Sequence, residues 1–269
     1  SFNIAVENSL NVGLFGIVGE NTILKNIVVN ISNLENNLGT NATAIHIKND
    51  NIANAKINFG LLAGVNNGLI YNCEIISIRG ARHIEVVTGN GYTLMFGGLV
   101  GINNGNITNS RVGTEYFEQL SESSGAVSSA IIKCGEIYLK ANGIMAGFVG
   151  ENALDSIISS CFVANTSVEN TSNSGNSEQN RTAGFVANNT GTIAYSYVKG
   201  LERSILTTRA RATGSVIYAS GAGNVAGFAY MNEGDIHDCY SNIECKSNAA
   251  GVWDAARASQ YAYLTGIIG

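Results

Sequence analysis

Five cysteines, at 73, 134, 161, 239 and 245, are the residues with the most chemical potential. Thiols bind metals, form bridges or attack electrophiles, and their spacing decides which. No Cys-x-x-Cys or Cys/His spacing of a zinc site is present. Cys73, Cys161 and Cys239 instead follow one local pattern, and two other copies of that pattern carry Ser110 and Ser196. A position shared by Cys and Ser reads as a small buried side chain. If the copies stack as adjacent strands, these cysteines lie roughly 2 × 4.8 Å apart, beyond the ~7 Å limit for a disulfide. A Cys239–Cys245 bridge stays open, and an odd count leaves a free thiol.

The densest acidic run is Glu233-Gly234-Asp235-Ile236-His237-Asp238. Carboxylates on adjacent strands can hold calcium or do acid–base work on glycans. Here the positions matching Asp238 are Tyr195, Ser160 and Asn109, so acids do not stack and the run reads as a solvated turn. His46, His83 and His237 occupy unrelated positions and support no triad. Arg79, Arg82, Arg203, Arg209 and Arg211 follow the second and fifth copies. They suit contact with anionic glycans or plain loop decoration, and decoration is the preferred reading. Asn-x-Ser/Thr sequons at Asn30, Asn41, Asn106, Asn165, Asn170, Asn180 and Asn188 mostly reflect a chain rich in these residues. No catalytic, cofactor-binding or metal residue is assigned.

The elements that must position these residues come from a repeat. Six segments align: GIVGENTILKNIVV from Gly16, LLAGVNNGLIYNCEI from Leu61, GLVGINNGNITNSRV from Gly98, GFVGENALDSIISSCFV from Gly147, GFVANNTGTIAYSYV from Gly184 and GFAYMNEGDIHDCYSNI from Gly227. The shared asparagines, Asn21, Asn66, Asn103, Asn152, Asn189 and Asn232, are spaced 45, 37, 49, 37 and 43 residues apart. The coil cores fall near 13–31, 60–76, 97–112, 146–163, 183–198 and 226–243, and a seventh begins at 266. Neither end carries an evident cap, so the chain reads as a fragment of a longer repeat protein.

Composition agrees. Proline is absent among 269 residues and glycine numbers 32, which suits strands punctuated by turns, because proline cannot donate to a ladder. With 45% hydrophobic and 13% charged residues and a net charge of −5, the chain can bury a core but lacks the basic surface that nucleic acid requires. No apolar run reaches the ~18 residues of a membrane span.

Within each copy the paired columns Ile17/Val18, Leu62/Ala63, Leu99/Val100, Phe148/Val149, Phe185/Val186 and Phe228/Ala229 form a short strand. Side chains alternate between faces, so one of the two columns points inward, and the larger Leu/Phe column is expected there. Ile70, Ile107, Ile193 and Ile236 line a second strand. Ala130–Leu139, His83–Phe96 and Ser204–Tyr218 supply a third, and Ala164–Asn180 is expected to loop out of the coil. The predicted fold is all-β: a right-handed parallel β-helix of about six coils with loop insertions. The asparagines form a structural ladder inside it. A β-propeller has a compatible period but needs four strands per blade.

The core G-[LF]-V-G-x-N-x-G-x-I-x-N-S resembles the GLUG motif, named for Gly-Leu-(hydrophobic)-Gly, and matches best at Gly98–Val112. Departures are Leu61, Ala187 and Tyr230 in place of glycine, one extra residue in copy four and one fewer in copy one. The resemblance implies a parallel β-helix in large secreted or surface-attached proteins, including filamentous-haemagglutinin-like adhesins and regions before peptidase domains of some immunoglobulin-cleaving enzymes. It implies a scaffold without catalytic residues. The expected function is a structural or adhesive extracellular stalk, with no enzyme activity and no cofactor. Its expected partners are neighbouring coils of the same polypeptide and a host or cell-surface glycan or protein, with no nucleic acid. The alternatives are a carbohydrate-active β-helix enzyme, lyase or hydrolase, and a tailspike-like glycan binder.

Overall fold

The computed structural model describes residues 9–31, 42–47, 55–77, 82–88, 92–115, 137–171, 180–200, 216–219 and 224–247. Every regular element among them is a strand. Thirty strands form five sheets of six, and each strand pairs in parallel with the equivalent strand one coil away. Coil two shows the plan. Lys56–Gly60 lies in the first sheet, Ala63–Asn66 in the second, Leu69–Tyr71 in the third, Glu74–Ile76 in the fourth and Arg82–Thr88 in the fifth. Six such coils stack into a parallel β-helix.

Each coil therefore has five strands where three were expected. The repeat motif alone contains three of them, because a bend follows the Asn and another follows the Ile strand. The Val that closes the motif lies in a separate fourth strand of the coil, as at Arg111–Val112. Part of the expected loop Ala164–Asn180 is also strand: Thr166–Asn170 joins the fifth sheet. Its polarity misleads because its hydroxyls and amide are buried and bonded. Thr166 Oγ1 donates to Ala164 O (2.9 Å) and Asn170 Nδ2 to Gly143 O (2.6 Å). Residues 172–179 lie outside the described residues.

The inward columns are apolar ladders. In the third sheet Leu24, Ile70, Ile107, Ile158, Ile193 and Ile236 are in register, and Ile70 to Ile193 are fully buried. Burying one such side chain stabilises by about 1.5–3 kcal/mol. The expectation that only the Leu/Phe column points inward is corrected: Leu99 and Val100, Phe148 and Val149, and Phe185 and Val186 are all fully buried in one core. Alternation holds along a strand, but Leu99 sits in the bend before Val100–Asn103. A corner turns both neighbours toward the axis. Phe148, Phe185 and Phe228 stack there with centroids 4.7 Å apart, close to the strand spacing.

Coil one sits in a different register from the one its sequence suggested. Phe15 pairs with Ala63, Ile17 with Val65 and Val18 with Asn66. Its motif is thus Gly13-Leu14-Phe15-Gly16-Ile17-Val18, and GIVG from Gly16 was a three-residue misalignment. The position of the ladder asparagine holds Val18. Asn21 is exposed in the turn that follows, where Thr22 N donates to Gly19 O at 3.0 Å. Coil four has the same turn at Ala153–Ser156, with Ser156 N on Ala153 O at 3.2 Å. Ile23 and Ile157 therefore stand in equivalent columns, each two residues later than in the compact copies.

Candidate functional site

The polar interior is an amide ladder. Asn66 Nδ2 donates to Asn103 Oδ1 (2.7 Å), Asn103 to Asn152 (2.8 Å), Asn152 to Asn189 (2.8 Å) and Asn189 to Asn232 (2.7 Å). The first four are fully buried, and Asn232, in the last described coil, is exposed. The same Nδ2 groups reach the carbonyl two residues on, at Gly68, Gly105, Gly191 and Gly234 (3.0–3.3 Å). Each amide thus closes its own turn and joins the next coil. Glycine follows because a Cβ on Gly105 would meet Gly68 O at 2.2 Å. Coil four lacks this glycine, and Ser156 Oγ donates to Asn152 Oδ1 at 2.7 Å instead.

A second polar ladder holds the cysteines. Cys73 N donates to Ser110 Oγ (3.0 Å), Ser110 N to Cys161 Sγ (3.4 Å) and Cys161 N to Ser196 Oγ (3.2 Å). The hydroxyls of Ser110 and Ser196 donate back to the carbonyls of Thr108 and Ala194. Cys73 and Cys161 are fully buried, Cys239 is half-buried, and all three are free thiols. Burial pushes the Cys161 thiol up to about 12 and raises Cys73 and Cys239 as well, against weaker backbone hydrogen bonds. Cys245 is buried and lies in the fifth sheet in register with Ile217. Cys134 falls outside the described residues.

Preceding each ladder Ser or Cys is a residue with positive φ: Asn72, Asn109, Ser160, Tyr195 and Asp238, with Asn26 at the same place in coil one. Asn tolerates this conformation best. Outside, Asn72 Nδ2 donates to Asn26 Oδ1 at 2.8 Å. Asp238 therefore occupies a corner matching Tyr195, Ser160 and Asn109. It accepts from His237 Nδ1 at 3.0 Å, both groups being exposed. Asp235 is in register with Thr192. Among the described residues the acidic run brings no carboxylates together across coils. Among the described residues no three of His, Cys, Asp and Glu gather into a group that could hold a metal ion.

Two outward columns escaped the sequence reading because their members lie in different copies and differ in type. In the fourth sheet Glu74, Arg111, Phe162, Tyr197 and Tyr240 are in register. Arg111 pairs with Glu74 at 2.8 Å and lies over the Phe162 ring, while Phe162, Tyr197 and Tyr240 stack 4.9 Å apart within 5° of parallel. The faces of Phe162 and Tyr197 are thus covered by Arg111 and neighbouring rings, so this column is a clasp between coils. In the fifth sheet Glu85, Lys140 and Glu169 are in register. Lys140 pairs with Glu85 at 3.1 Å, and burial, followed by the charge of Glu85, raises the Glu169 carboxyl.

Arg181, unlike Arg111, forms no ion pair with a carboxylate among the described residues. It donates to Asn188 Oδ1 at 2.8 Å and lies over the Tyr230 ring. Tyr230 and Ala187, the departures from glycine, fall outside the coil around Met95, Ile144, Ala146 and Ala183. The sequons divide by burial: Asn30 and Asn106 are exposed, while Asn165, Asn170, Asn180 and Asn188 are buried. Arg82 lies in a fifth-sheet strand. Arg79, Arg203, Arg209 and Arg211 fall outside the described residues, as does Asn41.

Fold and ladders define the class as a parallel β-solenoid whose interior is organised by side chains of one type stacked from coil to coil. No family model matches the chain, and no curated protein or solved structure matches it. No helix among the described residues is long and apolar enough to cross a membrane.

Proposed function

We propose that this segment is a structural or adhesive stalk of an extracellular or cell-surface protein, related to GLUG-motif repeats and without catalytic activity. One observation carries the reading: the buried asparagines and the Ser/Cys column are engaged in bonds between coils. The asparagines bond to asparagines, and Cys73, Ser110, Cys161 and Ser196 serve one another's backbone. Such cross-bracing stiffens a rod that holds loops or a distal domain away from a surface. Neighbouring coils of the same polypeptide are its first partners, and a host or cell-surface glycan or protein is the external one. The test is imaging of the parent protein on its cell with antibody to this segment, combined with a glycan and protein binding screen. Confinement to the cell interior would overturn the reading.

The fifth-sheet column favours a second reading as a carbohydrate-active enzyme. Glu85 and Glu169 are two strands apart, about 9.6 Å at the backbone, near the upper end of the separation used by inverting glycosidases. The raised carboxyl of Glu169 would serve as the acid. Lys140 stands between them and neutralises Glu85, which weighs against it. Hydrolysis of polyuronates or neutral glycans, lost in Glu169→Gln, would establish this reading. Loss in Asp235→Asn or Asp238→Asn would place the activity at the sixth coil.

A further inference from the structure

The outer face of the third sheet carries a column in which Lys25, Tyr71, Thr108 and Ser159 are in register. The corner that follows stacks Asn26, Asn72 and Asn109, each at positive φ. Tyr71 is 43% exposed. Among the described residues no ring or guanidinium stacks on it. Tyr197 shows the contrast, because Phe162 and Tyr240 stack on its two sides. Tyr71 thus keeps an open ring face, a surface on which the C–H groups of a sugar ring can pack.

The corner amides beside that ring are held in place by one another. Asn72 Nδ2 donates to Asn26 Oδ1 at 2.8 Å, and Asn109 Nδ2 to Asn72 Oδ1 at 3.4 Å. A side-chain amide has two N–H groups and two lone pairs. Asn72 therefore keeps one N–H and one lone pair after serving its neighbours. A sugar hydroxyl both donates and accepts, so adjacent hydroxyls match such a pair. Because the amides are fixed before any ligand arrives, binding loses little side-chain entropy. Charge selects further. Lys25 is exposed, lies one strand spacing (about 4.8 Å) from Tyr71, and forms no ion pair among the described residues. It is the one charged residue on this face and its corner in coils one to three. Asp235 and Asp238 stand in coil six, four strand spacings or about 19 Å from Tyr71. That is beyond the ~8–10 Å over which exposed charges act in salt.

We propose that Tyr71, Asn72, Asn109 and Lys25 form a binding site for an acidic glycan, a chain bearing uronic acid units. The sugar ring lies on Tyr71, its hydroxyls bond to the amides of Asn72 and Asn109, and its carboxylate meets the Lys25 ammonium. The site gives a place and a chemistry to the glycan partner of the stalk reading, and it rests on that reading.

The test is a titration of the full 269-residue chain with oligogalacturonate, and with the galactose oligomer as its neutral match, read by backbone NMR shifts. The acidic oligomer is expected to shift Tyr71, Asn72 and Asn109 and to bind about tenfold tighter than the neutral one. Tyr71→Ala should lower its affinity about tenfold, whereas Tyr71→Phe should keep it, since the ring face does the packing. Lys25→Gln should remove both the preference for the acid and the sensitivity to salt. Unchanged shifts at Val100 and Val149 certify that each variant is folded. Binding left intact by Tyr71→Ala, or shifts confined to other coils, would overturn the site while the glycan partner stands. Equal affinity for the two oligomers would overturn the acidic class. Binding of neither would overturn the site, and the glycan screen on the parent protein then judges the glycan partner separately.

Discussion

At the scale of single residues, most polar side chains inside this molecule are held by the coil on either side. Asn152 gives the sharpest contrast. It accepts from Asn103 and Ser156 and donates to Asn189, so Asn152→Ala strands groups in coils three, four and five. Each buried unpaired group costs about 1–3 kcal/mol, and we expect Asn152→Ala to lose at least ~3 kcal/mol in urea unfolding. Asn21→Ala, on an exposed turn, should stay within about 0.5 kcal/mol. Equal losses would restore the register in which Asn21 belongs to the ladder. The thiols carry a pH prediction. Cys161 has its folded pKa pushed up to about 12 from 9.0, so its contribution is complete below the unfolded value and is lost as pH rises from 9 toward 12. Relative to Cys161→Ser, the parent chain should weaken over that window, and maleimide at pH 8.5 should label Cys161 only after unfolding. Glu169, also raised, follows the same sign: the parent loses ground to Glu169→Gln as pH rises above the ordinary carboxylate range.

Strands and corners set the next scale, where glycine and positive φ decide how tightly the chain can bend. In the second strand of each coil, Gly64 and Gly101 rest against the outer side of the first strand one coil back. A Cβ on Gly101 would meet Gly64 O at 2.6 Å and Phe59 N at 2.7 Å, both backbone atoms. Gly101→Ala should therefore cost several times the ~1 kcal/mol typical of a substitution, with the loss read as a lowered Tm. Coils five and six carry Ala187 and Tyr230 in this column, so Ala187→Gly should be mild. The corner column predicts the reverse preference. Tyr195 has φ 50°, and Tyr195→Gly should be neutral or stabilising while Tyr195→Val costs about 1–2 kcal/mol.

Over the whole molecule, stability is a sum of coil–coil interfaces, as in other solenoids. Coils three, four and five have described neighbours on both sides and fully buried inward apolar columns. Coil one exposes Leu14, Ile17, Ile23 and Val28, and coil six exposes Tyr240. Hydrogen exchange should accordingly grade from strongest in Phe148–Val149 and Phe185–Val186 to weakest in Phe15–Val18. Uniform protection along the axis would mean that the stack opens as one cooperative unit instead.

The sequence by itself determined the period, the apolar ladders, the Ser/Cys column and the asparagines of coils two to six. Stacking places one residue type on itself, so each column is written as a repeated letter. It could not fix coil one, where GLFG and GIVG overlap by one glycine; only pairing of Val18 with Asn66 separates them. Nor could it count the strands, because a bend between two buried residues such as Leu99 and Val100 leaves no trace in hydrophobicity. The mixed columns were decided by the tertiary structure for the same reason. Glu74, Arg111 and Phe162, or Glu85, Lys140 and Glu169, share no letter and meet only because parallel pairing brings distant copies to one strand spacing.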